Sequence, residues 1–252
     1  MLSTIKQDVL LLSKHLVHYQ VEYSHFFIVF LSYVAVLFFI KLAHLRWYIS
    51  FGFKDLVKSA TCNLGRLYSP DYYSASVFKE LSGNHAAATT SRYCRTAFIK
   101  FWNKFNLIVS ILLLVSTLLV VNYGDIPASL FFVIFIRYFS RCLEVMIAFV
   151  KDIFSRRKKP NTFLKKNDRI ILAGKSYVEL YVLAATIYTI LIPDSKKNIF
   201  EGVIQSLNVG TLTNIAGAQS ALGDNNIVIF TQVFSTISLV VLSFAAYLSR
   251  DK

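Results

Sequence analysis

The chain has 252 residues, of which 55% are hydrophobic, and its mean hydropathy is +0.53. This composition is too apolar for a soluble domain of this size and predicts an integral membrane protein. The formal charge of +13 would suggest nucleic acid as the partner of a soluble protein. Here the basic residues lie mostly between apolar stretches, so they predict membrane topology and contact with anionic lipid at the cytoplasmic face, with no nucleic-acid partner.

Five stretches are apolar enough to predict membrane-spanning helices, for which about 20 residues are needed. They are residues 23–40, 105–124, 128–150, 176–193 and 226–248. The predicted fold is an all-α integral membrane protein with five spans and a re-entrant pore helix and loop between the last two. The predicted divisions are 1–43 with the first helix, the basic segment 44–104, the hairpin 105–150, the basic linker 151–175 and the pore-like domain 176–252.

The basic segment 44–104 is predicted to be cytoplasmic or interfacial. It contains a candidate amphipathic helix at 51–67, followed by helix breaks at Ser69-Pro70 and Gly83-Asn84. The segment is too short to be an independent catalytic domain.

The positions of the lysines and arginines predict the orientation. Segments 44–104 and 151–175 carry nine each, whereas 123–127 carries none and 194–225 carries two. Cytoplasmic loops are enriched in these residues, so the N-terminus and segment 194–225 are predicted to lie outside and both basic segments inside. The first span lacks a small-residue cleavage site and is expected to remain as an anchor, in a bacterial inner (plasma) membrane.

The segment between the last two spans predicts a helix that enters the membrane and stops. Asn198, with Glu201 three residues later, favours a helix start. A helix of about 14 residues is roughly 21 Å long, which is short of a bilayer core of roughly 30 Å. The irregular backbone expected at 214–222 must then line water or contact protein. The C-terminal end of the short helix carries partial negative charge, which favours cations.

The last span carries a line of hydroxyl side chains. Thr231, Ser235 and Ser238 share one helix face. They could line a water-filled pore, or they could be small residues at helix–helix contacts in lipid. Both interpretations remain open.

Residues 211–219, Thr-Leu-Thr-Asn-Ile-Ala-Gly-Ala-Gln, lie between two apolar spans. They resemble the signature T-L-T-T-x-G-Y-G-D, which follows the pore helix in bacterial potassium-channel-like proteins, and residues 169–180 resemble the entry to the outer helix of small members of that family. The resemblance implies a homotetramer with the last two spans around a central axis and inorganic cations as the permeant species. The filter-like positions it assigns are Thr211, Thr213, Asn214, Ile215, Ala216, Gly217 and Ala218.

The sequence departs from that family where the filter glycines stand. Ala216 and Ala218 occupy those positions. A left-handed backbone costs alanine on the order of 1 kcal/mol more than glycine. We therefore expect that the standard potassium-selective filter is not formed, which leaves a wider cation path, an altered selectivity or a non-conducting pore.

Charged residues within the predicted spans suggest a further feature. Arg137 and Arg141 are too few and wrongly spaced for a voltage sensor, so we predict an internal ion pair with Glu144. Glu179 is predicted to pair with one of these arginines across helices.

No sequence motif for a catalytic, cofactor or metal site is present, and His15 with His18 is a poor metal site. The chain is therefore not expected to be an enzyme. The leading hypothesis is passive cation conduction through a tetrameric pore. The alternative is a non-conducting membrane sensor or effector that uses the pore scaffold for oligomerisation and signals through 44–104. A carrier is weaker, because no inverted repeat is visible.

Overall fold

The computed structural model describes residues 23–47, 52–84, 88–123, 126–154, 162–192, 199–223 and 225–242. These residues form helices joined by turns, and none of them is in a strand. The helices are α1 Tyr23–Arg46, α2 Phe53–Cys62, α3 Pro70–Asn84, α4 Ala88–Tyr123, α5 Ala128–Phe154, α6 Lys166–Leu191, α7 Ile199–Gly210, α8 Ile215–Leu222 and α9 Asn226–Ile237. A 3-10 turn, Leu64–Arg66, precedes α3, and a π-helical turn, Ser238–Leu242, continues α9.

Three helices are long and apolar enough to cross a membrane, which supports the predicted all-α membrane class. They comprise Ser24–Arg46 of α1, Ser91–Val121 of α4 and Asn167–Leu191 of α6. The apolar part of the last helix, Asn226–Val240, is shorter. The 27-residue α5 is not among the three, because three charged residues, Arg137, Arg141 and Glu144, interrupt its apolar sequence.

Helix α5 is the centre of the bundle and packs against α1, α3, α6 and α9. Its residues Ile134, Tyr138 and Cys142 are fully buried, as are Leu183 and Tyr188 of α6, in one hydrophobic core. A helix that is covered on several sides can place polar residues against protein rather than lipid. This position explains how α5 carries charge at its middle.

A second hydrophobic cluster attaches the segment after α1 to the bundle. Val77, Phe78 and Leu81 of α3 pack with Leu45 of α1 and Trp102 of α4. The segment predicted to be interfacial is therefore partly buried among helices. The helix breaks predicted near residues 69 and 84 coincide with the ends of α3, whereas the amphipathic helix predicted at 51–67 already ends at Cys62.

Two helices extend beyond the N-terminal bounds of the predicted spans. The span predicted from 105 lies in α4, which begins at Ala88, and the span predicted from 176 lies in α6, which begins at Lys166. Both helices continue through polar residues that hydropathy assigned to loops. Such residues extend a helix wherever its backbone hydrogen bonds continue, as Lys and Arg are good helix formers.

Candidate functional site

The short helix α7 packs tightly along α6. Gly202 comes so close that an added Cβ would lie 2.8 Å from the backbone nitrogen of Thr189 and 3.0 Å from the carbonyl oxygen of Ala185. One turn further along α7, Ser206 Oγ donates to the carbonyl oxygen of Tyr181, at 2.8 Å. Later residues of α7 thus meet earlier residues of α6, so the two helices are antiparallel. Glycine allows this close approach of two backbones.

Helix α7 ends beside the middle of α6. Tyr177 OH donates to the carbonyl oxygen of Gly210, at 3.2 Å. At about 1.5 Å per residue, Tyr177 lies roughly 20 Å from Leu191 at the end of α6. The 12 residues of α7 span only about 18 Å. The helix is slightly shorter than the 14 residues predicted, and its predicted cap Asn198 lies outside the described residues.

The turn after α7 has a strained residue. Thr213 N donates to Asn208 O at 3.0 Å, and Leu212 N donates to Val209 O at 3.1 Å. This pair of bonds is the Schellman arrangement, whose left-handed position glycine usually occupies. Here Leu212 occupies the left-handed position, with a φ of 59°. Among the described residues other than glycine, only Leu212 has a positive φ. The left-handed conformation costs a residue with a Cβ roughly 1–2 kcal/mol.

The residues that join α7 to α8 form an exposed polar tip, which we call the 211–214 tip. Thr211, Leu212, Thr213 and Asn214 are all exposed, and the two threonine hydroxyl oxygens lie 2.9 Å apart. The exposed side chains of α7 itself are apolar. They are Phe200, Ile204 and Leu207. The tip is thus a polar patch at the end of an apolar helix face.

The irregular backbone predicted for 214–222 is wrong, because Ile215–Leu222 is helical. Asn214 is the N-cap of α8, and its Oδ1 accepts from Gly217 N at 2.8 Å. Asparagine is a strong N-cap and alanine the best helix former, so the sequence favours this helix locally. Within α8, Ala216 is exposed and Ala218 is fully buried.

This helix changes the electrostatics expected at the tip. The C-terminal end of α7 carries partial negative charge, and the N-terminal end of α8 carries partial positive charge. Both ends meet at the 211–214 tip, so their fields offset each other. The dipole of α7 therefore does not by itself select cations there.

The hydroxyl line of α9 faces into the bundle. Ser235 and Ser238 are buried and Thr231 is half-buried. Ser235 Oγ donates to the carbonyl oxygen of Thr231, at 2.7 Å. The neighbouring Gln232 is buried as well: its Nε2 donates to Ser206 O at 2.9 Å and its Oε1 accepts from Tyr188 OH at 2.6 Å. Gln232 thus joins α9 to α6 and α7, whereas the hydrogen bond of Ser235 lies within α9.

The predicted pairing of Glu179 with the arginines of α5 is confirmed. Arg141 binds Glu179 through two hydrogen bonds, Nε to Oε1 at 2.6 Å and Nη2 to Oε2 at 2.7 Å. Arg141 also pairs with Glu144, and Arg137 Nη2 lies 3.9 Å from Glu179 Oε1. Arg137, Arg141 and Glu179 are buried, so this is an ion-pair network inside the bundle.

The network continues into helices that sequence analysis did not connect with it. Tyr33 OH donates to Asp71 Oδ2 at 3.0 Å, and Arg137 Nη1 donates to Tyr33 OH at 3.2 Å. Lys41 Nζ donates to Ser74 Oγ at 2.7 Å. Lys41 directly follows the predicted span 23–40, and Asp71 lies in the segment 44–104, which is predicted to be cytoplasmic or interfacial. The only signal for Asp71 was the preceding proline, which marks a helix start but not its neighbours.

The charges of this cluster balance. Its cations are Lys41, Arg137 and Arg141, and its carboxylates are Asp71, Glu144 and Glu179. Buried charges are tolerated when they are paired and hydrogen-bonded. The cluster therefore joins α1, α3, α5 and α6 through side chains with three formal positive and three formal negative charges.

His15 and His18, which the sequence indicates to be a poor metal site, and residues 155–161 of the predicted basic linker lie outside the described residues. Among the residues that the structure describes, no group of three or more His, Cys, Asp or Glu side chains could hold a metal ion. Comparisons with protein-family models, curated proteins and solved structures find no match to this chain.

Proposed function

We propose that this protein is an oligomeric membrane channel that conducts inorganic cations passively, with its path at the 211–214 tip. The observation that carries the proposal is the exposure of Thr211, Thr213 and Asn214 at the end of a short helix, beside the middle of α6. If α6 crosses the bilayer, these polar groups lie at the depth of the hydrocarbon core.

Polar groups at that depth need water or protein around them. Unsatisfied polar groups in hydrocarbon cost several kcal/mol each, and non-helical backbone occurs there only against protein or a water-filled cavity. The Thr211 hydroxyl donates to Leu207 O at 2.7 Å, so the argument rests on the exposed non-helical turn that carries both threonines, which an aqueous path shared by several copies would surround. The proposed assembly is the homotetramer that the sequence resemblance implies, in a bacterial plasma membrane.

The proposed selectivity is weak among monovalent cations. Hydroxyl and carbonyl oxygens are suitable ligands for hard cations. The tip offers such oxygens without a full charge. A filter of stacked left-handed carbonyls is not part of the proposal, since Ile215–Leu222 is helical.

A second candidate is a non-conducting sensor or effector. Its support is the buried charge cluster, in which Asp71 of α3 contacts Tyr33 of α1 and the backbone of Asp71 donates to Ser140 Oγ of α5, at 2.9 Å. Such contacts could transmit a change in the segment 52–84 to the membrane helices. The two candidates differ in whether ions cross.

Planar-bilayer recording of the purified protein separates them. The channel proposal predicts currents with a reversal potential that follows the cation gradient in KCl and NaCl. The double substitution T211A/T213A should change conductance or the potassium-to-sodium permeability ratio. Thr61→Ala is the matched control, because Thr61 is also exposed but lies on α2. If no current is measured under any ionic condition while the oligomer is intact, conduction is refuted. Particle images with two- or three-fold symmetry would refute the tetramer.

A further inference from the structure

Helix α3 runs beside α1, and its contacts place it along the length of that helix. Asp71, in the first turn of α3, accepts a hydrogen bond from Tyr33 OH of α1 through Oδ2, at 3.0 Å. Further along, the rings of Phe38 and Phe78 are 5.4 Å apart. The far end of α3 packs against Leu45. The two helices therefore run in the same direction, and α3 begins level with the middle of α1.

A second helix places the start of α3 at the same depth. Ser69 Oγ donates to the carbonyl oxygen of Ser140 at 2.9 Å, and Asp71 N donates to Ser140 Oγ at 2.9 Å. Ser140 lies close to the middle of α5, and Tyr33 lies close to the middle of α1. At about 1.5 Å per residue, Tyr33 is roughly 20 Å from Arg46, the predicted cytoplasmic end of α1.

Helix α2 brings the chain to this depth, so that α2, the turn and α3 form a hairpin, which we call the 52–84 hairpin. Its tip includes Ala60 and Leu67, which line a groove of about 500 Å³ together with Leu31, Val34 and Phe38 of α1. Tyr73 of α3 completes the groove. These lining residues of α1 belong to the central part of a candidate membrane span.

We infer that the 52–84 hairpin is embedded in the bilayer from the cytoplasmic face, with an acyl chain of a phospholipid in the groove between α1 and the hairpin tip. The occupant follows from continuity, because the groove opens on the apolar surface that α1 presents to lipid. Phe27, Leu31 and Phe39 of that surface are exposed. The inference requires that α1 crosses the bilayer, and it is independent of the proposed conduction.

Non-helical backbone at membrane depth is tolerated where it packs against protein, and the two ends of the hairpin turn, Asn63 and Ser69, are buried, with the backbone between them largely paired within the turn. Arg66 N donates to Asn63 O at 2.9 Å, Leu67 N to Leu64 O at 3.0 Å and Ser69 N to Arg66 O at 3.1 Å. The Asn63 side chain is buried, and its Nδ2 donates to Ser59 O at 2.7 Å and to Glu80 Oε2 at 2.8 Å. The charged residue of the turn is the half-buried Arg66, whose guanidinium lies 5.6 Å from the centroid of the Tyr72 ring and donates to Asn63 Oδ1, so it is held against α3 and the turn.

The outer surface of the hairpin also suits a bilayer. Phe53 and Val57, one turn apart on α2, are exposed apolar residues, as is Leu64 of the 3-10 turn. The exposed Lys54 and Lys58 lie beside it on the first turns of α2, nearer the cytoplasmic end. Apolar residues at this surface contact acyl chains, and long lysine side chains can extend to anionic headgroups.

The free thiol of Cys62, at the end of α2 near the tip, offers a direct test. Cys62 is exposed, whereas Cys94 and Cys142 are buried. The full-length protein is placed in vesicles of phosphatidylcholine and phosphatidylglycerol and treated with a charged, water-soluble maleimide on the cytoplasmic side. The matched control is K54C on a C62S background, at the base of the hairpin. We expect K54C to react at least ten times faster than Cys62, and a smaller ratio would overturn the inference.

A second measurement on the same residue excludes protection by protein instead of lipid. A spin label attached to Cys62 before reconstitution is exposed to molecular oxygen, which concentrates in hydrocarbon, and to a polar nickel complex, which does not. We expect collisions with oxygen to dominate at Cys62 and collisions with nickel to dominate at the K54C control. Dominant collisions with nickel at Cys62 would place the tip in water and refute the embedded hairpin.

Discussion

The ion pair between Arg141 and Glu179 permits a quantitative prediction about how α5 and α6 are held together. Glu179→Gln keeps the size of the side chain but removes the charge that faces Arg141. Glu179 is fully buried and Arg141 is 4% exposed, so solvent cannot replace the lost partner. Removing one member of a buried pair costs about 3–5 kcal/mol. Glu144 still faces Arg141, so we expect the lower end of that range.

The expected change is large enough for thermal unfolding of the purified protein in detergent. A loss of 1 kcal/mol lowers the Tm of a chain of this size by roughly 2–4 °C. A loss of about 3 kcal/mol should therefore lower the Tm of E179Q by roughly 6–12 °C. Glu144→Gln is the control, because the Glu144 side chain is 17% exposed and its charge is partly solvated. Its Tm should fall less.

The double variant R141M/E179M tests whether the loss arises from an uncompensated charge. Apolar residues of similar volume can replace a buried ion pair with little loss of stability. We expect the Tm of the double variant to exceed that of E179Q. An E179Q protein as stable as the wild type, or a double variant that unfolds before E179Q, would refute this account of the α5–α6 contact.

Three further substitutions test single contacts by the same thermal assay. Gly202→Ala should lower the stability by roughly 1–3 kcal/mol through overpacking. Adding Thr189→Ala should not restore the stability, since the clash includes the backbone nitrogen of Thr189. A wild-type Tm for Gly202→Ala would contradict the close packing. Leu212→Gly should raise the Tm by a few degrees, because it relieves roughly 1 kcal/mol of left-handed strain, and a lower Tm would argue against that strain. Ser140→Ala should lower the stability by about 1–3 kcal/mol, because the buried backbone N–H of Asp71 loses its acceptor. The control Ser116→Ala removes a half-buried hydroxyl that donates within α4, and it should change the stability little.

Hydropathy predicted the positions of the membrane helices better than their ends. The span predicted at 23–40 falls inside α1, and the span predicted at 105–124 corresponds to the second half of α4. Apolar composition reports which residues suit lipid, and it reports nothing about where helical hydrogen bonding continues into polar sequence. The first half of α4 was therefore assigned to the basic segment.

The candidate site was predicted in part. The short helix α7 follows from the length of the apolar stretch that begins near Ile199. The helix α8 was missed because a helix too short to cross the bilayer predicted irregular backbone directly after it, at 214–222. Local chemistry pointed the other way, since an asparagine N-cap followed by alanines favours helix. The hydroxyl line of α9 could not be oriented, because a stripe of small residues suits both a pore and a helix contact.

By itself, the sequence predicted an all-helical chain, five apolar stretches, of which three lie in helices long and apolar enough to cross a membrane, and the pairing of Glu179 with the arginines of α5. Hydrophobicity and the cost of an unpaired buried charge can both be assessed from each segment separately. Only the tertiary structure decided that Asp71 and Lys41 join that cluster and that α3 begins level with the middle of α1. It also decided that α7 lies against α6 through Gly202. These features depend on which helices are neighbours, and contacts between residues far apart in the chain leave no periodic pattern in either segment.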